Sequence, residues 1–432
     1  MIGAVLFILF LALMLAGVPI GVALGVGGAA AIALANPGTP NFGLLAVPQN
    51  FYASLTKYPL LALPMFVLVG SIFDRSGVAQ RLVNVAVAVI GRGPGMLPVV
   101  AILVAMFLGG VSGSGPANAA AVGGVMIAAM ARAGYPAGFS ASVIGGAAAT
   151  DILIPPSIAL ILYSVMVPGA SVPALFAAGM LPGVLAGLAL IIPTIWLSRR
   201  YRLGIAEGDQ PRPPFWRSLR EAVWGLFAPV LILGGMRMGW FTPTEAAAVA
   251  VGYGLFVGMA VHRTIGWRDL GPIFREAAEI SGVILMIIGL ASIFAYAVNT
   301  LGIIDPITRA IVGLGLGGTG TLVALMTLLI AVGMFLDGVS IFLIFVPLMA
   351  PLMRTFGWDP VWFGILLTMM VAIGQFTPPM AVNLMVSCKM AGVSMEETFR
   401  WVWWLVGAMF ISMLAVLFYP PLALWLPSSL GY

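Results

Sequence analysis

Two stretches decide the fold of this chain: Thr150-Asp151-Ile152-Leu153-Ile154-Pro155-Pro156-Ser157 and Gln375-Phe376-Thr377-Pro378-Pro379-Met380. Each sets two adjacent prolines inside an apolar segment. Each stands at the same distance behind a glycine–aromatic pair, Gly134-Tyr135 in the first and Gly357-Trp358 in the second. The match continues without a gap, with Gly169, Ser171 and Phe176 falling on Gly392, Ser394 and Phe399. Upstream, Phe107-Leu108-Gly109-Gly110-Val111-Ser112 is echoed by Phe335-Leu336-Asp337-Gly338-Val339-Ser340, and Ser71-Ile72-Phe73 by Ser292-Ile293-Phe294. Proline removes an N–H and clashes with the carbonyl a turn back, so two together break a helix. Interrupted hydrophobic segments at corresponding positions in two halves of a membrane protein point to a transporter's binding site.

Composition supports a membrane setting. The chain has 432 residues, 62% hydrophobic and 8% charged, whereas soluble domains run at about 25% charged. Apolar runs near the ~20 residues that a helix needs to cross the hydrocarbon core recur throughout. No long alternating pattern suggests a barrel. The 54 glycines and 31 prolines suit close helix contacts and broken helices whose freed backbone groups are satisfied by protein or water. A single cysteine, Cys388, and a single histidine, His262, exclude an internal disulfide and a Cys/His metal cluster. Neither Lys57 nor Lys389 sits in a phosphate loop, so the chain carries no nucleotide motor. The net charge of +5 comes from loop residues that set orientation and is not a nucleic-acid signature.

Residues 1–35 are apolar but broken at Gly17-Val18-Pro19, which predicts two short helices; a signal peptide is the rival, without a basic n-region. A polar loop over 36–57 leads to an apolar segment ending near Phe73 and a helix over 78–90. The apolar run 96–130 is split by Ser112-Gly113-Ser114-Gly115-Pro116. Each arm is about 16 residues, short for a crossing, which predicts a re-entrant hairpin. The first Pro-Pro helix follows, then a span over 172–197. Residues 201–220 form the one long polar segment, flanked or filled by Arg199, Arg200, Arg202, Arg212, Arg217 and Arg220; such an excess marks the cytoplasm. The second half adds spans near 222–239 and 242–261, an approach through Arg275 and Glu279 into 280–300, a second hairpin tipped by Asp337 to Ser340, the second Pro-Pro helix and a last span over 401–427. Counting from the arginine loop, the open end of the first hairpin (Arg92, Arg132) faces inside and that of the second outside. The expected architecture is an all-α polytopic membrane protein of two inverted repeats. Residues 1–200 form the first half (hairpin 95–131, broken helix 136–166). Residues 201–220 form the cytoplasmic loop, and 221–432 the second half (hairpin 319–354, broken helix 359–390).

Broken helices free carbonyls, hard ligands for a small cation, and bring helix dipoles whose N-termini meet anions. One double proline reads equally as a plain kink; the matched pair favours a site. Ser112, Ser114 and Asn118 lie at the first tip and Ser340 at the second, where hydroxyls and tip N–H groups suit a cation shell or a carboxylate; helix packing by small residues is the alternative. Asp151 and Asp337 are the carboxylates inside central hydrophobic segments. An acid at that depth costs ~2.5–3.5 kcal/mol or more and marks an ion path or a buried pair, unless it caps a broken helix end. Gln375, Thr377 and Asn383 stand on comparable ground. Tyr163, Arg237, Trp240 and Glu245 read as interfacial or inter-helical, and the 25 methionines as packing.

The strings Gly110-Val111-Ser112-Gly113-Ser114, Gly134-Tyr135 and Ile154-Pro155-Pro156-Ser157-Ile158, with Gly333-Met334-Phe335-Leu336-Asp337, Thr377-Pro378-Pro379 and Asn383, together resemble the large membrane subunit of tripartite ATP-independent periplasmic (TRAP) transporters. The resemblance covers essentially the whole chain. It implies an elevator-type importer of organic acids (dicarboxylates, keto acids, sugar acids or sialic acids) in the bacterial inner membrane, driven by sodium. It also implies a periplasmic substrate-binding protein and a small four-helix membrane subunit, here expected as a separate chain. Carried over, sodium would be held by Ser112, Gly113, Thr150, Asp151 and Pro155 in one half and by Asp337, Gly338, Gln375 and Pro378 in the other. The substrate would lie between them, near Ser114, Asn118, Ser157, Ser340, Thr377 and Asn383. No cofactor beyond sodium, no transition metal and no nucleic acid is implied. The rival is a stand-alone, proton-coupled carboxylate carrier acting through Asp151 or Asp337. A membrane enzyme is disfavoured, because no catalytic cluster of His, Cys or paired acids can be assembled.

Overall fold

The computed structural model describes residues 2–36, 38, 43–91, 93–208 and 212–432, and these are helices joined by turns, with no strand among them. In chain order the helices are α1 (Ile2–Leu15), α2 (Ile20–Ala35), α3 (Ala46–Leu55), α4 (Ala62–Arg75), α5 (Val78–Ile90), α6 (Met96–Ser112), α7 (Gly115–Arg132), α8 (Ala137–Ala149), α9 (Ile158–Met166) and α10 (Val172–Arg200). The second half holds α11 (Phe215–Arg237), α12 (Pro243–Leu255), α13 (Trp267–Thr300), α14 (Ile304–Gly313), α15 (Gly317–Gly333), α16 (Gly338–Phe356), α17 (Pro360–Gly374), α18 (Val382–Ala391), α19 (Phe399–Phe418) and α20 (Pro421–Leu430). Among the described residues seven helices are long and apolar enough to cross a membrane, or eight if α14 and α15, bent by 114°, count as one. The chain is a polytopic helical membrane protein.

Two local expectations change. The segment 36–57 is not all loop, because α3 forms within it. Pro48 falls in the first turn of α3, where its missing N–H removes no helical bond. The last span stops at Phe418, and α20 restarts beyond Tyr419 with Pro421 at its first position. Pro420 and Pro421 lack the donors that would continue α19, so the break follows from the same chemistry as the two central ones. The approach to 280–300 is continuous with the span, giving one helix of 34 residues.

Helices α2, α3 and α4 gather around α13, and α12 packs on α4. In lipid this association rests on close packing by small residues. Gly28 shows how close: a β-carbon there would stand 2.9 Å from the Phe294 backbone. A second group joins α7 and α8 to α18, α10 to α19 and α20, and α15 to α17. Within it the two Pro-Pro helices lie side by side in opposite directions. The start of α8 meets the stretch after α18, where Ser142 Oγ lies 3.4 Å from the Thr398 carbonyl. The end of α9 meets the start of α17, where buried Tyr163 donates to the Pro360 carbonyl at 2.7 Å.

The arginine-rich connection is fastened to the base of the first hairpin. Glu207, fully buried in the short 3-10 turn Ile205–Glu207, accepts from the N–H groups of Gly93 (3.3 Å) and Leu97 (2.8 Å) and from the Tyr135 hydroxyl (2.6 Å). A carboxylate at the N-terminus of α6 complements its dipole. Tyr135 in turn accepts from Gly95 N–H at 2.7 Å. Burial, then the bond to Glu207, pushes its phenol well above the ordinary value of 10.0. Arg92, expected at this end, lies outside the described residues, as do 209–211 of the connection.

Candidate functional site

The first tip forms because its sequence stops one helix and starts another within a few residues. Gly113 ends α6 at φ 61, a left-handed turn that glycine adopts without steric cost. Ser114 is extended, and Gly115-Pro116 opens α7 with proline in its first turn. A β-carbon on Gly113 would meet the Pro156 carbonyl at 2.8 Å, so the tip is seated on the first double proline. There α8 has ended at Ala149 and α9 has not begun. Asp151 is fully buried; one carboxylate oxygen accepts from Ser112 Oγ at 3.3 Å and the other has no partner. Thr150 donates to the Ala147 carbonyl at 2.7 Å. Ser157 caps α9, accepting from Leu160 N–H at 3.3 Å and donating to the Ile152 carbonyl at 2.6 Å.

At the second tip Asp337 caps α16, accepting from Ser340 N–H at 3.2 Å and from the Ser340 hydroxyl. The tip is tied to the second break by a bond from Ala381 N–H to the Met334 carbonyl, 3.0 Å. Across that break Asn383 N–H donates to the Gln375 carbonyl at 3.0 Å, and its Nδ2 lies 3.4 Å from Gln375 Oε1. Its own Oδ1 is buried without a partner. Thr377 donates to the Ile373 carbonyl at 2.6 Å. Both double prolines carry a cis peptide bond.

The two tips and two breaks enclose one cavity of about 210 Å³. The first tip contributes Gly113, Ser114, Gly115 and Pro116, and the second Asp337, Gly338 and Val339. Ile152, Ile158, Ala159, Gln375 and Val382 line it from the broken helices, and Ile284 of α13 closes one side. Of the residues singled out from the sequence, Gly113, Ser114, Asp337, Gly338 and Gln375 face this space. Ser112, Thr150, Asp151 and Pro155 stand behind the first tip, Ser340 stands behind the second, Thr377 and Pro378 belong to the second break, and Asn383 reaches from that break to Gly115 of the first tip. Asn118 lies inside the first hairpin, donating to the Ala105 carbonyl at 2.8 Å, with its Oδ1 unpartnered. Ile284 had no distinguishing signal, since it is one apolar residue in a long apolar span.

The walls differ in chemistry. Ser114 lines the cavity and makes no side-chain cap at the start of α7, whereas Asp337 already occupies the first N–H groups of α16. An anion is therefore favoured at the α7 end. The unpartnered oxygen of Asp151, the Ser112 hydroxyl and the carbonyls at the first break are hard ligands suited to a small cation. No group of three or more His, Cys, Asp or Glu side chains able to hold a metal occurs among the described residues.

Comparison with known proteins gives a consistent result. The family described as the tripartite ATP-independent periplasmic transporter, DctM component, matches residues 7–422. The C4-dicarboxylate TRAP transporter large permease protein DctM of Pseudomonas aeruginosa is 36% identical over 408 residues, covering 94% of both chains. The sialic acid TRAP transporter large permease protein SiaM of Vibrio cholerae is 31% identical, covering 98% of both. The isethionate TRAP transporter permease protein DctMQ of Oleidesulfovibrio alaskensis is 34% identical over 98% of this chain, which spans 66% of that longer protein.

Proposed function

Because the chain belongs to the DctM-component family of TRAP transporters, we propose that it is the large permease of a sodium-coupled importer of an organic acid in the bacterial inner membrane. It works with a periplasmic substrate-binding protein and a small membrane subunit. One observation supports this reading above the rest: both hairpin tips and both broken helices meet at a single cavity lined by the uncapped start of α7, with the buried, half-partnered carboxylate of Asp151 behind that tip. In the proposed mechanism the substrate carboxylate docks at the N-terminus of α7 beside Ser114. A sodium ion sits behind the tip against Asp151 and Ser112, and a second stands at the Asp337–Gln375 side. Each ion neutralises charge that is costly to bury alone, so ion and anion enter together.

The antiparallel placement of the two Pro-Pro helices, through Tyr163–Pro360 and Ser142–Thr398, supports two inverted repeats. The division into a group around α13 and a group carrying the tips supports an elevator, in which the second group slides past Ile284 and its neighbours. The names of the relatives support a carboxylate or sulfonate cargo. The test is uptake of a radiolabelled C4-dicarboxylate, sialic acid or isethionate into proteoliposomes that hold the chain with both partners. Uptake driven by an inward sodium gradient, and absent with potassium, is expected. Uptake driven by a pH gradient and indifferent to sodium would overturn the reading.

A further inference from the structure

A second cavity, of about 490 Å³, lies directly beyond the tip cavity. Three helices line both. On α13 Ile284 faces the tip cavity and Ile288 the second one; on α9 the pair is Ile158 and Leu162; on α16 it is Val339 and Leu343. Each pair is one helical turn apart, about 5.4 Å, so the two spaces are stacked end to end. The far end of the second space is at the close of α9 and of α16. It thus lies away from the base of the first hairpin, where Glu207 fastens the arginine-rich connection.

Two cations stand at that far end, from different walls. Lys57 follows α3 and Arg354 lies in the last turn of α16. Lys57 uses one donor on the Val165 carbonyl, 2.9 Å away. The ion pairs of the described residues are Arg75–Glu276, Arg217–Glu221 and Arg275–Glu279, so neither cation has an acidic partner. Among the described residues the cavity lining holds no Asp or Glu, while Asn50 and Asn299 add neutral polar groups. Snorkelling toward lipid headgroups accounts for a lone terminal Lys or Arg. It does not account for two from separate elements converging on one acid-free hollow. Like charges brought together at the mouth of a low-dielectric cleft raise the local concentration of anions.

We propose that this cavity is an outer receiving site for a small organic anion, with Lys57 and Arg354 holding its carboxylate or sulfonate before it descends along α9, α13 and α16 to the hairpin tips. The site rests on the transport reading for the identity of its cargo only; its anion selectivity is a property of the cavity itself.

The test reads that property without transport. In the full-length chain carrying Cys388→Ala, a reporter thiol is placed in the cavity by Ser54→Cys or, as a second position, Asn299→Cys. Membrane vesicles of known sidedness are treated with an anionic (sulfonate) or a cationic (trimethylammonium) methanethiosulfonate reagent. The anionic reagent should react ~10-fold faster than the cationic one, from the face opposite the arginine-rich loop. The Lys57→Gln, Arg354→Gln double variant should bring the ratio near one, and Arg354→Lys should retain most of it. An unchanged ratio in the double variant would overturn the proposal. So would reaction solely from the loop face, or no reaction at either thiol. Loss of sodium-driven uptake with the selectivity intact would refute the transport reading and leave this site standing.

Discussion

Asn383 of the second broken helix lies against Gly115 at the first hairpin tip: a β-carbon on Gly115 would stand 2.7 Å from both polar atoms of the Asn383 side chain. The contact joins opposite halves of the chain at the cavity wall, and Asn383 Oδ1 has no other partner there. Gly115→Val should therefore push Asn383 off the tip. Sodium-driven uptake should fall at least ~10-fold, while the purified complex keeps its elution profile. Gly252→Ala, where the added atom meets nothing within 4 Å, should stay within about 0.5 kcal/mol of wild type in thermal unfolding. Equal uptake by the two variants would contradict the close contact.

Asp151 has one carboxylate oxygen on Ser112 and one without a partner, in full burial. Asp151→Asn keeps the shape and removes the charge. The sodium concentration for half-maximal uptake should rise ~10-fold or more, since a loss of about 1.4 kcal/mol of binding gives that factor. Thr150→Val should shift it less, because its hydroxyl is engaged with Ala147. The measurement is initial uptake against sodium at fixed substrate.

Gly333 and Gly374 touch backbone to backbone, with a β-carbon on Gly374 falling 2.6 Å from Gly333 Cα. Gly374→Ala must separate α15 from α17 and unseat the second tip. It should lower the midpoint of thermal unfolding by several degrees, consistent with ~1–3 kcal/mol for overpacking.

Tyr135 links Gly95 and Glu207 at the base of the first hairpin. Tyr135→Phe removes the acceptor for one N–H and a donor to the carboxylate, costing about 1–3 kcal/mol at neutral pH. The pH dependence has a definite sign. The folded phenol is held above its ordinary value of 10.0, by burial first and the bond to Glu207 next. The stability it contributes is therefore complete below about pH 10 and is lost as pH rises beyond it. Melting curves from pH 8 to 11 should converge for wild type and Tyr135→Phe at the alkaline end; parallel curves would contradict the assignment.

What could be read from the sequence was local. Two adjacent prolines break a helix whatever surrounds them, so the breaks at Pro155-Pro156 and Pro378-Pro379, and the turn at Gly113 to Pro116, announce themselves. Pro420-Pro421 carried the same message at the end of the last span and was masked by the long apolar run before it. Helix α3 was hidden by polar Gln49 and Asn50, which read as loop. The enclosing side of the cavity was not legible, because Ile284 is distinguished only by what packs opposite it. The fastening of Glu207 to Leu97 and Tyr135 joins residues far apart in the chain and has no local signal. The polar residues named for the site did gather near the two tips. Which of them face the cavity depends on capping: Ser157 and Thr377 turn back to their own helices, while Ser114 and Gln375 face inward.

The most direct measurement is a cross-link between the tips. In a Cys388→Ala background, Ser114→Cys and Val339→Cys place one thiol on each tip, both lining the same cavity. A short bis-methanethiosulfonate should join them, and a C4-dicarboxylate, sialic acid or isethionate should slow the reaction only when sodium is present. Failure of any short reagent to bridge the pair, or protection that is the same with and without sodium, would contradict a shared site for anion and cation.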